Sequence, residues 1–453
     1  MHEELLQTIE PLIEAKDTAK LKEILAGENP VDIAEIFAEL DEKIVPRLYR
    51  LLPKSLAAEV FIEMPSDLKE ALIASFADRE ITETMSELFY DDAADLMEEL
   101  PAGVVRRILA NTPQKDRAEI NKLLKFEEDS AGSIMTTEFV NLRTEMTVGA
   151  ALDYIRAVAP EKETVYTCYV ISADRKLLGY ITALTLLTAD ADKTVGELMD
   201  THVIFATTST DKEEVAAMIR KYDFLALPIV DSEERLVGIV TVDDAVDVMQ
   251  EEAEEDFAKM AAITPSETPY LKTSPFAIYK TRIPWLLLLM ISATFTSMII
   301  SSFENALAAQ VILTMFIPML MDTGGNCGAQ ASVTVIRALS LGEVGWKSLF
   351  RVLAKEISVA VLCGLTLSAV AFVKLMTVDN LLTGGIDPFI AFTVALTLLC
   401  TVVAAKLIGA FLPIAARKVG LDPAVVASPM ITTLVDAMSL LVYFSLAKAL
   451  LGL

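Results

Sequence analysis

Beyond Pro275 the chain carries five long apolar runs, at 283–303, 306–336, 357–373, 389–405 and 423–447. Each is close to the roughly 20 residues that a helix needs to cross hydrocarbon, or longer if tilted. The expectation is a five-helix transmembrane domain. Charge divides the chain at the same place. Of its 453 residues, the first 274 hold 27 Lys/Arg against 56 Asp/Glu, and the remainder hold 11 against 8, within a formal net charge of −26. A front this acidic repels nucleic acid and anionic headgroups and attracts cations, so nucleic acid is not an expected partner. Arg337, Lys347, Arg351 and Lys355 follow the second run and Arg417 and Lys418 follow the fourth, whereas TVDNLLTGGIDPF after the third has two acids and no base. By the positive-inside rule the even-numbered spans end in the cytoplasm, which makes the acidic front cytoplasmic. The N-terminus lacks a basic n-region and an apolar h-region, so no cleavable signal peptide is expected. Four cysteines without a CxxC spacing and two histidines leave no disulfide framework, no zinc site and no histidine constellation for acid–base work.

The front has two textures. Up to about residue 125, charged and apolar positions alternate at helical spacing, and a phrase recurs: DIAEIFAELD from Asp32, LAAEVFIEMP from Leu56 and DAADLMEELP from Asp92. Pro53, Pro65, Pro101 and Pro113 are separated by multiples of twelve, the pattern of a short-helix repeat with proline punctuation that stacks as a small superhelix. From about Asp129 a second duplication appears. VISADRKLLGYITALTLL aligns with IVDSEERLVGIVTVDDAV at an offset of 59, placing Gly179 on Gly238 and Thr182 on Thr241. Each copy reads as strand, helix, hairpin and helix, and the pair resembles tandem CBS domains with an α/β fold. LxGxxTxxD is complete only in the second copy, at Asp244; the first has Thr185 there. In that resemblance Thr241 and Asp244 take the phosphate and ribose positions of an adenine nucleotide.

Two features inside the spans demand a use. Asp436 stands alone in SPMITTLVDAMSLLVYF, and an intramembrane acid costs roughly 2.5 to 3.5 kcal/mol unless it faces a partner or water. In FIPMLMDTGGNCGAQ, Pro318 and Gly324-Gly325 are expected to break span two near Asp322, freeing backbone groups that only protein or a wet cavity satisfies. Asp322, Asn326 and Gln330, four apart, share a helical face, which suggests a hydrated passage; a polar helix-packing seam is the alternative. Thr432 and Thr433, one turn before Asp436, are placed to bond an ion's waters. A lone DTG with no second copy and no GxGD argues against proteolysis, and no other catalytic residue set emerges. Ahead of the spans, DDAAD sets Asp91 and Asp95 on one helical face, and TVDDAVDVMQEEAEED sets Asp244, Asp247, Glu251 or Glu252, Glu255 and Asp256 along another. Like charges at that spacing destabilise a helix unless cations bridge them, although a solvated acidic face is the alternative for any one of them.

Taken in order, an acidic helical repeat, a CBS pair, a charged connecting helix and five spans, with GGNCGAQ…VIRALSLGE in span two and DPAVVASPMITTLVDAMSLLVYF in span five, resemble the MgtE family of magnesium transporters over essentially the whole chain. The resemblance implies a cytoplasmic repeat domain at 1–128, tandem CBS domains at 129–249, a connecting (plug) helix and linker at 250–275, and a multi-pass cell-membrane domain at 276–453. It implies a homodimer in the bilayer whose span five lines a pore on the two-fold axis, with Asp436 as the pore carboxylate and Asp422 at the cytoplasmic mouth. Asp422 as a helix N-cap is compatible with that role. It also implies that cytoplasmic Mg2+ closes the pore by binding between the acidic parts, with Glu59 a further ligand, and that ATP is a regulator. Where relatives often have glycines around span five, this chain reads ASPM and DAMS, with Ser439 near the aspartate. Two other readings stand beside this one: transport of Co2+, Mn2+ or Ni2+, against which the absence of histidine and paired cysteine argues, and a membrane-anchored adenine-nucleotide sensor that transports nothing.

Overall fold

The computed structural model describes residues 2–265, 270–271, 273–383, 385–426 and 428–452, so the linker expected between Thr264 and Pro275 falls partly outside the described residues. The chain forms two compact units, 1–250 and 251–453, each with its own core.

The first unit opens with helices only. Pro53, Pro65, Pro101 and Pro113 each stand directly before a helix, at Lys54–Ile62, Ser66–Ser75, Ala102–Asn111 and Gln114–Leu123. A proline there fixes φ and gives up no helical hydrogen bond, so the twelve-residue spacing is a register of helix starts. Helices pack on their next-but-one neighbours: Pro30–Glu39 on Lys54–Ile62, that helix on Asp78–Met85, and that one on Ala102–Asn111. The recurring phrase, carried by Pro30–Glu39, Lys54–Ile62 and Tyr90–Glu99, marks buried faces. Its second, third, fifth and sixth positions are buried in all three copies (Ile33, Ala34, Ile36, Phe37; Ala57, Ala58, Val60, Phe61; Ala93, Ala94, Leu96, Met97). The fourth position, between them, is the acid Glu35, Glu59 or Asp95.

Two three-stranded sheets follow. β1 (Phe139–Leu142) runs parallel to β2 (Thr164–Ile171), which turns back antiparallel on β3 (Leu177–Thr182); β4 (Ala206–Thr207), β5 (Ala226–Val230) and β6 (Leu236–Thr241) repeat the scheme. Even the register repeats at the offset of 59: Val170 faces Gly179 and Ile229 faces Gly238. The glycines themselves have a reason that the alignment alone did not reveal. A Cβ on Gly179 would stand 2.6 Å from the Asp200 carbonyl oxygen, and one on Gly238 would stand 2.6 Å from Met135 Sδ and 2.8 Å from the Thr136 oxygen. Met135 precedes the first copy and Asp200 the second, so each half accepts the other half's leader against its glycine, with bridges between Thr136 and Ile239 and between Tyr180 and Asp200.

Among the described residues, the second unit holds five long helices after the tail of the connecting helix Val242–Met260. Four spans, Pro275–Ser302, Trp346–Leu382, Pro388–Lys418 and Pro429–Leu451, are long and apolar enough to cross a membrane. The fifth helix, Ile317–Ser340, is long enough at 24 residues, about 36 Å at 1.5 Å per residue, but carries Asp322, Asn326, Gln330 and Arg337. It is also unbroken, which corrects the expectation of an interruption at TGGNCGAQ. Pro318 lies in the first turn, where no helical donor is lost, and Gly324, Gly325 and Gly328 are buried against other helices, so the interior of the helix leaves nothing for water to satisfy. The break comes earlier, in the 3-10 turn Val311–Phe316. Helix Pro388–Lys418 packs on Ile317–Ser340, Leu349–Lys374 and Ser428–Leu451. It outruns the expected end at residue 405 because Lys406, the charge that closed the run, is itself only 5% exposed among its neighbours. Helix Pro275–Ser302 buries no residue within the chain and carries no charge beyond Arg282, as a membrane span does.

Candidate functional site

Asp436 lies in the helix Ser428–Leu451, half-buried, alongside Gly325 of the facing helix Ile317–Ser340. A Cβ on Gly325 would come within 3.2 Å of Thr432 Cγ2 and 3.8 Å of Asp436 Oδ1. Close approach of the two helices is thus supplied from the opposite side. Gly324 sits on Ser439, Thr401 and Val435, and Gly328 on Ile431, Val435 and the Ala405 carbonyl. The ASPM and DAMS stretches need no glycines of their own when the facing helix provides three. Thr432 and Thr433 each donate their hydroxyl to the Pro429 carbonyl, at 2.9 and 3.0 Å, and Ser439 donates to the Val435 carbonyl at 2.6 Å. On the facing helix, Asn326 Nδ2 donates to Asp322 Oδ1 at 3.3 Å. Asp322, Asn326 and Gln330 all lie on the exposed surface of the chain. A polar face of this kind inside a membrane requires water or another subunit against it.

Asp422 lies outside the spans, in the turn before the aspartate-bearing helix. Both of its oxygens are engaged: Oδ1 accepts the Ala424 N–H at 2.7 Å, and Oδ2 meets Lys259 Nζ at 2.7 Å. The N-capping role expected for it becomes this two-residue turn. Lys259 Nζ also contacts Glu255 Oε1 at 2.8 Å. Burial works against the charge on Lys259, yet the hydrogen bonds and charges of Asp422 and Glu255 outweigh it and hold the ammonium well above its ordinary range.

In the first unit, helix Tyr90–Glu99 brings a set of carboxylates to one place. Asp91 is 8% exposed and its Oδ1 has no hydrogen-bond partner. Burial, with the charge of Asp92, pushes it up to about 7. Burial and the charge of Asp91 push Asp244 up to about 7 against the hydrogen bond from Thr241, and burial with Asp244 pushes Asp92 up to about 6. Asp95, more open at its own surface, is raised too, by burial first and by Asp91 and Asp244 next. Glu163 is pushed up to about 8 by burial and by Asp91, Asp92 and Asp244. Glu138, raised by its burial, accepts the Tyr90 N–H at 3.0 Å and so caps the start of this helix. Of the expected residues, Asp91, Asp95 and Asp244 come together. Asp247 is exposed and shifted upward by burial and then by Asp243, Glu59 is exposed on its own helix, and Glu252, Glu255 and Asp256 belong to the second unit. Among the described residues no three His, Cys, Asp or Glu side chains close around a common point. Asp92, Glu138 and Glu163 escaped sequence reasoning, since no spacing links a residue before β2 to a helix some seventy positions earlier.

At the nucleotide positions, Thr241 is buried and its hydroxyl donates to Asp244 Oδ2 at 2.5 Å. In the first half Thr182 and Thr185 pair through their hydroxyls at 2.9 Å, so the acid is absent there.

The MgtE family, described as a divalent cation transporter, matches residues 317–446; the MgtE intracellular N domain matches 28–129; CBS domains match 131–192 and 195–251. The magnesium transporter MgtE of Thermus thermophilus is 36% identical over 455 aligned positions, covering 100% of this chain and 99% of that protein. The magnesium transporter MgtE of Bacillus subtilis is 32% identical, covering 99% and 98%. Among solved structures, the cytosolic domain of the Mg2+ channel MgtE in complex with ATP superposes with a TM-score of 0.51 at 36% identity, over 55% of this chain and 100% of that one.

Proposed function

Because the chain belongs to the MgtE family of magnesium transporters, we propose that it passes Mg2+ across the cell membrane beside Asp436, in a homodimer that sets two such carboxylates around one hydrated path. The observation that carries this reading is the half-buried Asp436 packed against Gly325, with Asp322 one turn before that glycine on the facing helix. Two acids acting on each other inside a bilayer repel, and a cation between them relieves both the repulsion and the cost of burial. Mg2+ gives up its waters reluctantly, so a few carboxylates facing a hydrated ion suit it better than a closed protein cage. Asn326, Thr432 and Thr433 extend the polar wall beside Asp436, and the exposed Asp322–Asn326 face is where a second copy or water meets it. Asp422 continues the path at the cytoplasmic mouth.

Gating belongs to the same proposal. The orphaned Oδ1 of Asp91, among carboxylates whose protons are held by burial and mutual repulsion, fits a divalent cation by chemistry: hard oxygen donors in excess of local positive charge. Asp91, Asp95 and Asp244 would hold it, with Asp247 and Glu59 at the margin and Glu252, Glu255 and Asp256 as further acids on the connecting helix. Ions bind the compact arrangement more tightly, which shifts the population toward closure; their loss lets repulsion reopen it. Thr241 and Asp244 are the residues for an ATP regulator, a reading supported by the ATP complex of the related cytosolic domain.

Magnesium uptake into liposomes tests the conduction step. Asp436→Ala should reduce it to the protein-free background, and Asp436→Asn, which keeps the shape, should lose nearly as much. Uptake undiminished in both would remove Asp436 from the path.

A further inference from the structure

We propose that Lys259 is a tethered cation that occupies the mouth carboxylate Asp422, and that a divalent ion passing there must displace it; this rests on the placement of Asp422 at the mouth proposed above. Each of the two Asp422 oxygens already has a partner. Oδ1 is taken by the Ala424 N–H and Oδ2 by the Lys259 ammonium, both at 2.7 Å. With Lys259 in place the charge of the acid is offset, and it draws an ion more weakly. The lysine is a lone base near the end of the acidic run VDDAVDVMQEEAEEDFAKM, where every other charged residue is an acid.

The contact is built to release. Lys259 is bound by Glu255 four residues earlier on its own helix, at 2.8 Å, so losing Asp422 leaves the ammonium paired. Asp422 in turn keeps its turn hydrogen bond to Ala424. Neither group is stranded. Their side chains are 23% and 33% exposed, open enough that an exchange of partners needs no dry, unpaired intermediate. A doubly charged ion competes for the freed oxygen with twice the charge of the ammonium, so the device opposes monovalent ions more than Mg2+.

The test is a double-mutant cycle on the full chain in liposomes, read as Mg2+ uptake rate at equal protein. Lys259→Met and Lys259→Gln should each raise uptake, by roughly fivefold if a partly exposed ion pair sets the population of the closed mouth. Lys259→Arg, which keeps the charge, should fall much nearer to the parent than either. In an Asp422→Asn background the gain from Lys259→Met should vanish. Each variant is first shown to elute as the parent does on size exclusion. Uptake unchanged or lowered by both neutral variants overturns the proposal, and so does an equal gain with and without Asp422. Failure of the transport reading is separate: it shows as full uptake in Asp436→Ala, whatever Lys259 does.

Discussion

At the scale of single residues, the transmembrane unit rests on three glycines of one helix as much as on the aspartate of another. A methyl group added at Gly324 would meet Ser439 Oγ and Thr401 Cγ2 at 2.8 Å, and one at Gly328 would meet Ile431 Cγ2 at 3.0 Å. None of these neighbours has room to retreat, since Ser439, Thr401 and Ile431 are all fully buried. Gly324→Ala and Gly328→Ala are each expected to cost about 1 to 3 kcal/mol by overpacking, and to lower the thermal midpoint of the detergent-solubilised protein. An unshifted midpoint in both would show that the helices stand further apart. This dependence could not be read from the sequence. GGNCG looks like a helix breaker until the facing surface is known, and the expected interruption failed for that reason. Asp436 and Asp322, by contrast, were legible at once, because a charge in an apolar run needs no partner to be noticed.

At the scale of elements, the duplicated α/β halves show how far a repeat can be read. Strand order, the hairpins and even the paired register follow from the 59-residue offset. The exchange of leaders does not, because it joins Met135 to Gly238 and Asp200 to Gly179 across about a hundred positions in one case and about twenty in the other. It makes each glycine a contact between halves. Gly238→Val should therefore loosen the leader around Met135 and Thr136 as well as its own hairpin, seen as faster hydrogen exchange at Thr136 and Ile239, whose amides bond each other's carbonyls. Loss of protection confined to β5 and β6 would contradict the exchange. The helical repeat was legible in more detail: proline spacing marked the helix starts, and the phrase marked the buried columns. The acid at its fourth position, Glu35, Glu59 or Asp95, was visible as a repeat, but that Asp95 meets other carboxylates depends on where its helix packs.

For the whole molecule, the acidic front sets conditions for its own stability. Asp91, Asp92, Asp244 and Glu163 are raised to between about 6 and about 8, far above the ordinary carboxylate range near 4. A raised carboxylate binds its proton more tightly in the folded state, so stability is greatest where the proton is retained and falls as pH climbs from about 4 through these values. Without divalent cations, the cytoplasmic unit of the full chain is expected to melt at lower temperature at pH 8 than at pH 6. Millimolar Mg2+ should raise the midpoint at pH 8 and flatten the difference, by binding the folded form. A midpoint independent of pH in the absence of Mg2+ would mean that the carboxylates are not crowded as described. Protease digestion offers the companion measurement: Mg2+ should slow cleavage of the cytoplasmic part, and an identical time course would count against sensing.

Thr432 and Thr433 spend their only hydroxyl hydrogens on one carbonyl, that of Pro429. What these two side chains leave free beside Asp436 is lone pairs without protons. The hydrogens of water held around a cation point outward and find acceptors here, whereas a chloride ion, whose shell presents oxygens, finds no donor from either threonine. On the proposed path, the hydrogen-bond polarity of this short helical turn would favour cations over anions before size or valence is tested.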